Sequence, residues 1–260
     1  LLLIGHSIGE VLAAHLADVF SLEDASRLVI ARSRLMQALP GNGGMAAVLC
    51  PPERLIPWLA EQPDVAIAAF NGPANTVISG PMEPLQQVIN RAKAAGLEVR
   101  PLQVSHAFHS PAMAPMLADF EMELARITYS APTRILISNL TGKVAGVEIA
   151  TPDYWCKHVI QPVLFHQGIQ ATQEQGAQAF LEIGARPTLI AMARQCLDDP
   201  TLSFLPSLLP GESDWKSMYT TLGQLFVEGH TISWEGFNSP FQHRRVQLPG
   251  YPFEKQAYWW

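Results

Sequence analysis

Charge is scarce in this 260-residue chain: 15% of residues are Asp, Glu, Lys or Arg, against 48% apolar. That balance excludes a disordered chain, which is poor in apolar groups and rich in charge. Basic charge is the scarcer sign, with 17 Lys and Arg against 23 Asp and Glu, for a net charge of −6. No run of Lys and Arg stands out, which argues against broad nucleic-acid binding. Cysteine is scarce too. Cys50, Cys156 and Cys196 are odd in number and fit no metal spacing and no disulfide framework. They read as reduced thiols of a cytoplasmic protein. No apolar run approaches the roughly 20 residues of a membrane span, and no signal peptide is visible. An initiator methionine is also lacking. Leu1-Leu2-Leu3-Ile4 reads instead as a strand covered on both faces. The expectation is a chain that begins inside a fold, with preceding strands missing.

The remaining punctuation separates three regions. Residues 1–40 read as strand, sharp turn and helices. Residues 45–104 alternate compactly: strand 45–50, helix 52–62, strands 65–71 and 75–79 about Gly72-Pro73, helix 83–95 stopped by Gly96, strand 97–104. That β-α-β-β-α-β order predicts a ferredoxin-like unit. Residues 111–200 return to larger helices, with buried strands at 134–138 and 179–183, a turn at Gly184 and a helix at 187–197. The last 60 residues are broken by Pro206, Pro210, Pro240, Pro249 and Pro252 and hold one helix near 215–227. Tyr251, Phe253, Tyr258, Trp259 and Trp260 crowd the end and need a surface to bury them.

Gly5-His6-Ser7-Ile8-Gly9 fits G-x-S-x-G, after an apolar strand and before a helical stretch. That context is the one a nucleophile elbow requires. The alternative is an ordinary glycine-rich turn. In the elbow reading both glycines are needed because a side chain on either flank would collide with nearby backbone. Ser7 then sits at a helix N-terminus, where free N–H groups favour an oxyanion. The Ile8 N–H is the first donor, and a second would come from a loop before residue 1.

Ser21, with Asp24 three residues on, resembles a capping box opening a helix that runs to about Leu39. Turned at 100° per residue, that helix gathers Ala25, Leu28, Leu35, Met36 and Leu39 into one apolar stripe. Arg32 falls in its middle. A guanidinium there needs an anion. Either an internal Asp or Glu supplies it, or the stem snorkels, or the fork grips a substrate carboxylate. A serine nucleophile 25 residues upstream favours the substrate.

A nucleophilic serine needs a base, most often histidine. Ser105-His106-Ala107-Phe108-His109-Ser110 lies where the chain re-enters the large unit. His109 faces the cleft, with His106 as competitor. No Asp or Glu stands out as a third member, so a backbone carbonyl is expected to orient the imidazole. His158 and the following Val159-Ile160-Gln161-Pro162-Val163 are the candidate wall. His158 reads equally well as a helix-end histidine.

Several motifs in order now resemble one family. Residues 5–10, Arg32-Ser33-Arg34-Leu35-Met36, Asn71-Gly72-Pro73, residues 104–110, Ser138-Asn139-Leu140-Thr141-Gly142 and Leu181-Glu182-Ile183-Gly184 resemble malonyl-CoA:acyl carrier protein transacylases. The closer similarity is to acyltransferase domains of modular type I polyketide synthases. Leu248-Pro249-Gly250-Tyr251-Pro252-Phe253 with Tyr258-Trp259 resembles the linker that follows such domains.

The resemblance implies an α/β fold: a large α/β-hydrolase-like subdomain (1–44 and 105–200), the ferredoxin-like subdomain (45–104) and a linker tail (201–260). It implies that Ser7 carries the acyl group, His109 is the base and Arg32 binds the malonyl carboxylate. Ile8 would offer its N–H, His6, His106 and Phe108 would line the substrate site, and the His158 carbonyl would orient the base. His106-Ala107-Phe108-His109 resembles the tetrad of malonyl-selecting domains, with Phe108 filling the room of an α-methyl group, a distinction of only about 1–3 kcal/mol. No tightly bound cofactor is implied. Malonyl-CoA is the substrate, and the acyl carrier protein brings the phosphopantetheine thiol. The neighbouring ketosynthase domain and linkers are the other partners, with neither nucleic acid nor membrane. The family's N-terminal glutamine-containing segment, source of the second oxyanion donor, is absent from the chain. Two rival readings are an α/β-hydrolase or thioesterase, and a truncated domain serving only as an interaction module.

Overall fold

The computed structural model describes residues 1–241, 244, 246–256 and 259. The chain opens with β1 (Leu2–Ile4), α1 (Ile8–Leu16) and α2 (Leu22–Ala38). Next come β2 (Gly43–Val48), α3 (Ile56–Ala60), β3 (Ala66–Gly72), β4 (Asn75–Pro81), α4 (Met82–Ala94) and β5 (Val99–Pro101). The larger unit resumes with α5 (Leu117–Leu124), β6 (Ile135–Ile137), α6 (Pro152–Ile160), α7 (Phe165–Glu174), β7 (Ala179–Glu182), α8 (Thr188–Cys196) and β8 (Ser203–Pro206). α9 (Asp214–Val227) and α10 (Trp234–Asn238) follow.

The middle segment folds as its order predicts. Its antiparallel sheet runs β3-β4-β2-β5, the ferredoxin-like arrangement. The apolar side of α4 (Leu85, Val88, Ile89, Ala92) packs over Ala46, Val48 and Ile78. The helix expected over 52–62 is broken into a 3-10 turn (Pro52–Arg54) and the short α3. Pro57 cannot donate a helical hydrogen bond, which shortens the regular run. The last strand is also shorter than expected, because Pro101 ends its ladder.

In the larger unit β1 and β6 run parallel in register, Ile4 beside Ile137. This pairing sets the ends of both strands side by side. Leu3 packs on the core formed by α1, α2, α5 and α6, and Ile4 on a second core under α7 and α8. Both faces of β1 are touched, as expected of an apolar run, yet its residues are only half-buried. Among the described residues β1 pairs with β6 alone.

Two expectations about the tail change. β8 pairs in parallel with β7, Phe180 beside Phe204. A linker boundary at residue 200 would therefore cut a β-α-β unit, whose second strand ends at Pro206. Tyr251, Phe253 and Trp259 are not buried; their exposures are 77%, 78% and 91%. Tyr251 and Phe253 pack only against each other among the contacts of the described tail, at 4.7 Å. Tyr258 and Trp260 lie outside the described residues. Among the described residues, no helix is long and apolar enough to cross a membrane.

One glycine joins the two units. A Cβ on Gly43 would lie 2.4 Å from the Ala107 nitrogen, so β2 can approach the 106–109 segment only without a side chain there. Gly43→Ala is expected to cost about 1–3 kcal/mol of stability through overpacking, checked by urea denaturation. An unchanged midpoint would contradict this packing.

Candidate active site

Ser7 stands between β1 and α1 with φ 52° and ψ −119°. A non-glycine residue reaches such a conformation only when its surroundings over-determine it. Two features do so. Gly5 lets the chain fold back on itself, since a Cβ there would sit 2.2 Å from the Glu10 nitrogen. Asn139, just past β6, grips both sides of the corner. Its Oδ1 accepts the Ser7 N–H at 2.8 Å and its Nδ2 donates to the Gly5 carbonyl at 2.8 Å. Gly9 departs from the expectation that both glycines are sterically required. A Cβ there meets nothing within 4 Å, because residue 9 already lies in the first turn of α1 and faces outward.

The Ser7 Oγ and the His109 Nε2 are 2.6 Å apart. His109 also has a positive φ, 54°. Its neighbour Ser110 pins the backbone: the hydroxyl donates to the Ala107 carbonyl at 2.6 Å and accepts from the Ala112 N–H at 3.3 Å. On the far side of the ring, His109 Nδ1 lies 3.0 Å from the Gln161 carbonyl oxygen. A carbonyl only accepts, so the proton sits on Nδ1 and Nε2 presents its lone pair to the serine. Ser7 is therefore the donor in the pair. Burial holds the His109 pKa well below the usual histidine value, and His158 and Arg32 add to the effect.

That hydrogen bond corrects the expected role of His158. The orienting carbonyl belongs to Gln161, one residue beyond α6, where the helix has ended and its last carbonyls are free to turn outward. The wall segment expected from the sequence is the right one, but the histidine in it does something else. His158 is fully buried, and its Nδ1 is 3.1 Å from Arg32 Nη1. The second Arg32 nitrogen, Nη2, donates to Ser7 Oγ at 3.2 Å. Arg32 is thus buried in the stripe of α2 and aimed at the nucleophile. Burial lowers its pKa to about 10, opposed by the charge of Glu10, so it remains a cation at neutral pH.

The other expected lining residues are occupied within the protein. His106 lies between the Ser105 hydroxyl (2.8 Å) and the Leu39 carbonyl (3.1 Å), so it braces α2 rather than competing for Ser7. His6 Nε2 pairs with Asn71 Oδ1 of β3 at 2.7 Å, which ties the elbow to the small sheet. Phe108 stacks on His106 at 6.0 Å and, with Met36 and Ser33, lines an open pocket of about 630 Å³ beside the site. The Ile8 N–H is at the first position of α1, where no intrahelical acceptor exists.

Sequence reasoning missed Glu10. This carboxylate is fully buried under the elbow. Oε2 accepts the Asn139 N–H at 3.0 Å and Oε1 accepts the Tyr154 hydroxyl, which is itself 2.7 Å from Ser138 Oγ. Burial pushes its pKa up, while these donors and Arg32 pull it down. Donors on both oxygens beside a buried cation favour the carboxylate. The available signal was its place one helical turn after Ser7, on the inward side of α1.

Residues 2–231 match the family described as the acyl transferase domain. The chain belongs to this family. A spectinabilin polyketide synthase system protein, NorB of Streptomyces orinoci, is 39% identical over 265 residues, covering 100% of this chain and 12% of that protein. The acyltransferase domain from the second module of the salinomycin polyketide synthase shares 40% identity with a TM-score of 0.88, over 95% of this chain and 58% of that one. A malonyl CoA-acyl carrier protein transacylase from Clostridium perfringens shares 29% identity with a TM-score of 0.79, over 86% and 71%. The acyl transferase domain described here thus spans a small part of the curated relative and over half of the salinomycin domain.

Two outcomes follow from this geometry. A neutral sulfonyl fluoride should label Ser7 at a rate that stays level from neutral pH to below the ordinary histidine value, since the base form of His109 persists there. An inflection at or above pH ~6.5 would contradict a buried neutral imidazole. Gly9→Ala should fold as stably as the parent, whereas Gly5→Ala should lose more than ~3 kcal/mol, both read by urea unfolding.

Proposed function

We propose that this domain moves a malonyl group from malonyl-CoA to the phosphopantetheine thiol of an acyl carrier protein, within a polyketide synthase. The observation that carries the reading is a serine hydroxyl shared between a neutral imidazole acceptor and a buried guanidinium donor. The first makes Ser7 a nucleophile. The second places a cation one hydrogen bond from the atom that becomes the ester, where the free carboxylate of a short diacid would lie.

In the first half-reaction Ser7 Oγ attacks the thioester carbonyl and passes its proton to His109 Nε2. The carbonyl oxygen takes up negative charge beside the Ile8 N–H. The C–S bond breaks, and His109 returns the proton to the coenzyme A thiolate. The carrier thiol then attacks the acyl-serine, again giving its proton to His109, and Ser7 leaves as the hydroxyl. The Gln161 carbonyl holds the ring through both halves and disperses the imidazolium charge. No cofactor takes part in these steps.

The choice of malonyl over an α-methylated unit rests on the bulk of Phe108, next in the chain to the base, and belongs to the same proposal. A thioesterase reading is less well served. Hydrolases of that fold orient the base with a carboxylate, and here the partner is a carbonyl. The flanking ketosynthase and linkers of a synthase, the carrier protein and a cytoplasmic setting belong to the same proposal.

Incubation with malonyl-CoA should give a malonyl adduct at Ser7 by mass spectrometry, absent in Ser7→Ala. Arg32→Ala should lower kcat/KM for malonyl-CoA by about 10- to 100-fold, the size of one charged hydrogen bond. An adduct elsewhere, or one persisting in Ser7→Ala, would refute the scheme.

A further inference from the structure

We infer that Glu10 and His158 form a buried relay that fixes the direction of the Arg32 guanidinium, so that both are positioning residues for recognition of the acyl carboxylate. This rests on the reading that Arg32 binds that carboxylate.

The chemistry of the three groups allows one arrangement. Arginine has donors only, so His158 Nδ1, 3.1 Å from Nη1, must be a lone pair. The ring is neutral, because burial and the nearby Arg32 both depress its protonation. Its one proton is therefore on Nε2. That nitrogen lies 3.1 Å from Glu10 Oε2, although the N–H is not aligned well enough to count as a hydrogen bond. The contact is electrostatic: a ring dipole with its positive end toward Glu10 and its negative end toward Arg32. Glu10 is held in turn by the Asn139 N–H and the Tyr154 hydroxyl, and Trp155 and Tyr154 wall the His158 ring at 5.4 and 6.4 Å. With Nη1 committed to His158, Nη2 has one direction left, toward Ser7. Glu10 also supplies the opposite charge without touching the fork, which leaves the Nη2 arm on the Ser7 side for a substrate.

The test has two arms. The first records imidazole nitrogen shifts of His158 in the parent chain at neutral pH. The inference expects the Nε2–H tautomer, and the Nδ1–H tautomer or an imidazolium would overturn it. The second compares Ser7 malonylation by malonyl-CoA with Ser7 labelling by a neutral sulfonyl fluoride, which has no carboxylate. In His158→Leu the ratio of malonylation to sulfonylation should fall about 10- to 100-fold, as for a lost charged hydrogen bond. His158→Gln, which keeps an acceptor and a donor on one side chain, should restore most of it. Glu10→Gln should lower the ratio in the same direction. Parallel loss of both reactions marks a merely structural role, and an unchanged ratio in His158→Leu removes the relay. If the parent is sulfonylated but never malonylated, the proposed function fails instead, while the tautomer still decides the relay.

Discussion

The site depends on one side chain that does no chemistry. Asn139 spans the elbow with its amide, taking the Ser7 N–H on one end and giving to the Gly5 carbonyl on the other. A backbone at φ 52°, ψ −119° costs on the order of 1–3 kcal/mol, so it has to be held from outside the loop. Parallel pairing of β1 with β6 makes this possible, because Ile4 and Ile137 lie side by side and both chains emerge together. The same residue reaches downward through its own N–H to Glu10. Sheet register, elbow strain and the buried charge thus meet in Asn139.

Strain is distributed to match. The non-glycine residues with positive φ among those described are Ser7, Asp18 and His109. Two of the three face each other across 2.6 Å. Neither is held by its own secondary structure. Ser7 is held by Asn139, just past β6, and His109 by Ser110 and by Gln161 beyond α6. The small sheet contributes as well: β2 presses on Ala107 through Gly43, and Asn71 of β3 holds His6. The two subdomains act on the nucleophile and the base from both sides, which is a reason for the insertion to interrupt the larger unit where it does.

What the sequence made legible were features with a period or a fixed spacing. The G-x-S-x-G after an apolar run marked the corner, the interrupted stripe of α2 marked Arg32, and alternating short elements marked the ferredoxin-like sheet. What stayed hidden has no side-chain signature. The carbonyl of Gln161 could belong to any residue, so the orienting group was sought three positions early, at His158. Glu10 looked like an ordinary acidic residue in a helix's first turn, where the dipole already welcomes it; only the fold reveals that Asn139 and Tyr154 bury it. Gly9 followed the motif and not the sterics. The aromatic tail misled for a different reason: crowded rings imply a covering surface, but not one within the described residues, where Tyr251 and Phe253 remain more than three-quarters exposed.

The buried charges explain why Arg32 can face a serine at all. A lone guanidinium in an apolar stripe would either bind the nearest carboxylate directly or lose its stability advantage. Direct pairing would occupy both arms of the fork and leave nothing for a substrate. Placing a neutral imidazole between Arg32 and Glu10 avoids this, since the anion lowers the cost of the cation across the ring while Nη2 stays directed at Ser7. A protonated His158 would place a second cation against Arg32, so deep burial of that ring is a functional requirement as well as a packing outcome. The T-shaped contact of His158 with His109, at 5.9 Å, extends the same requirement to the base. A positive charge on His158 would oppose the imidazolium that His109 must become. One neutral histidine thus keeps the carboxylate clamp aligned and leaves the base free to accept a proton.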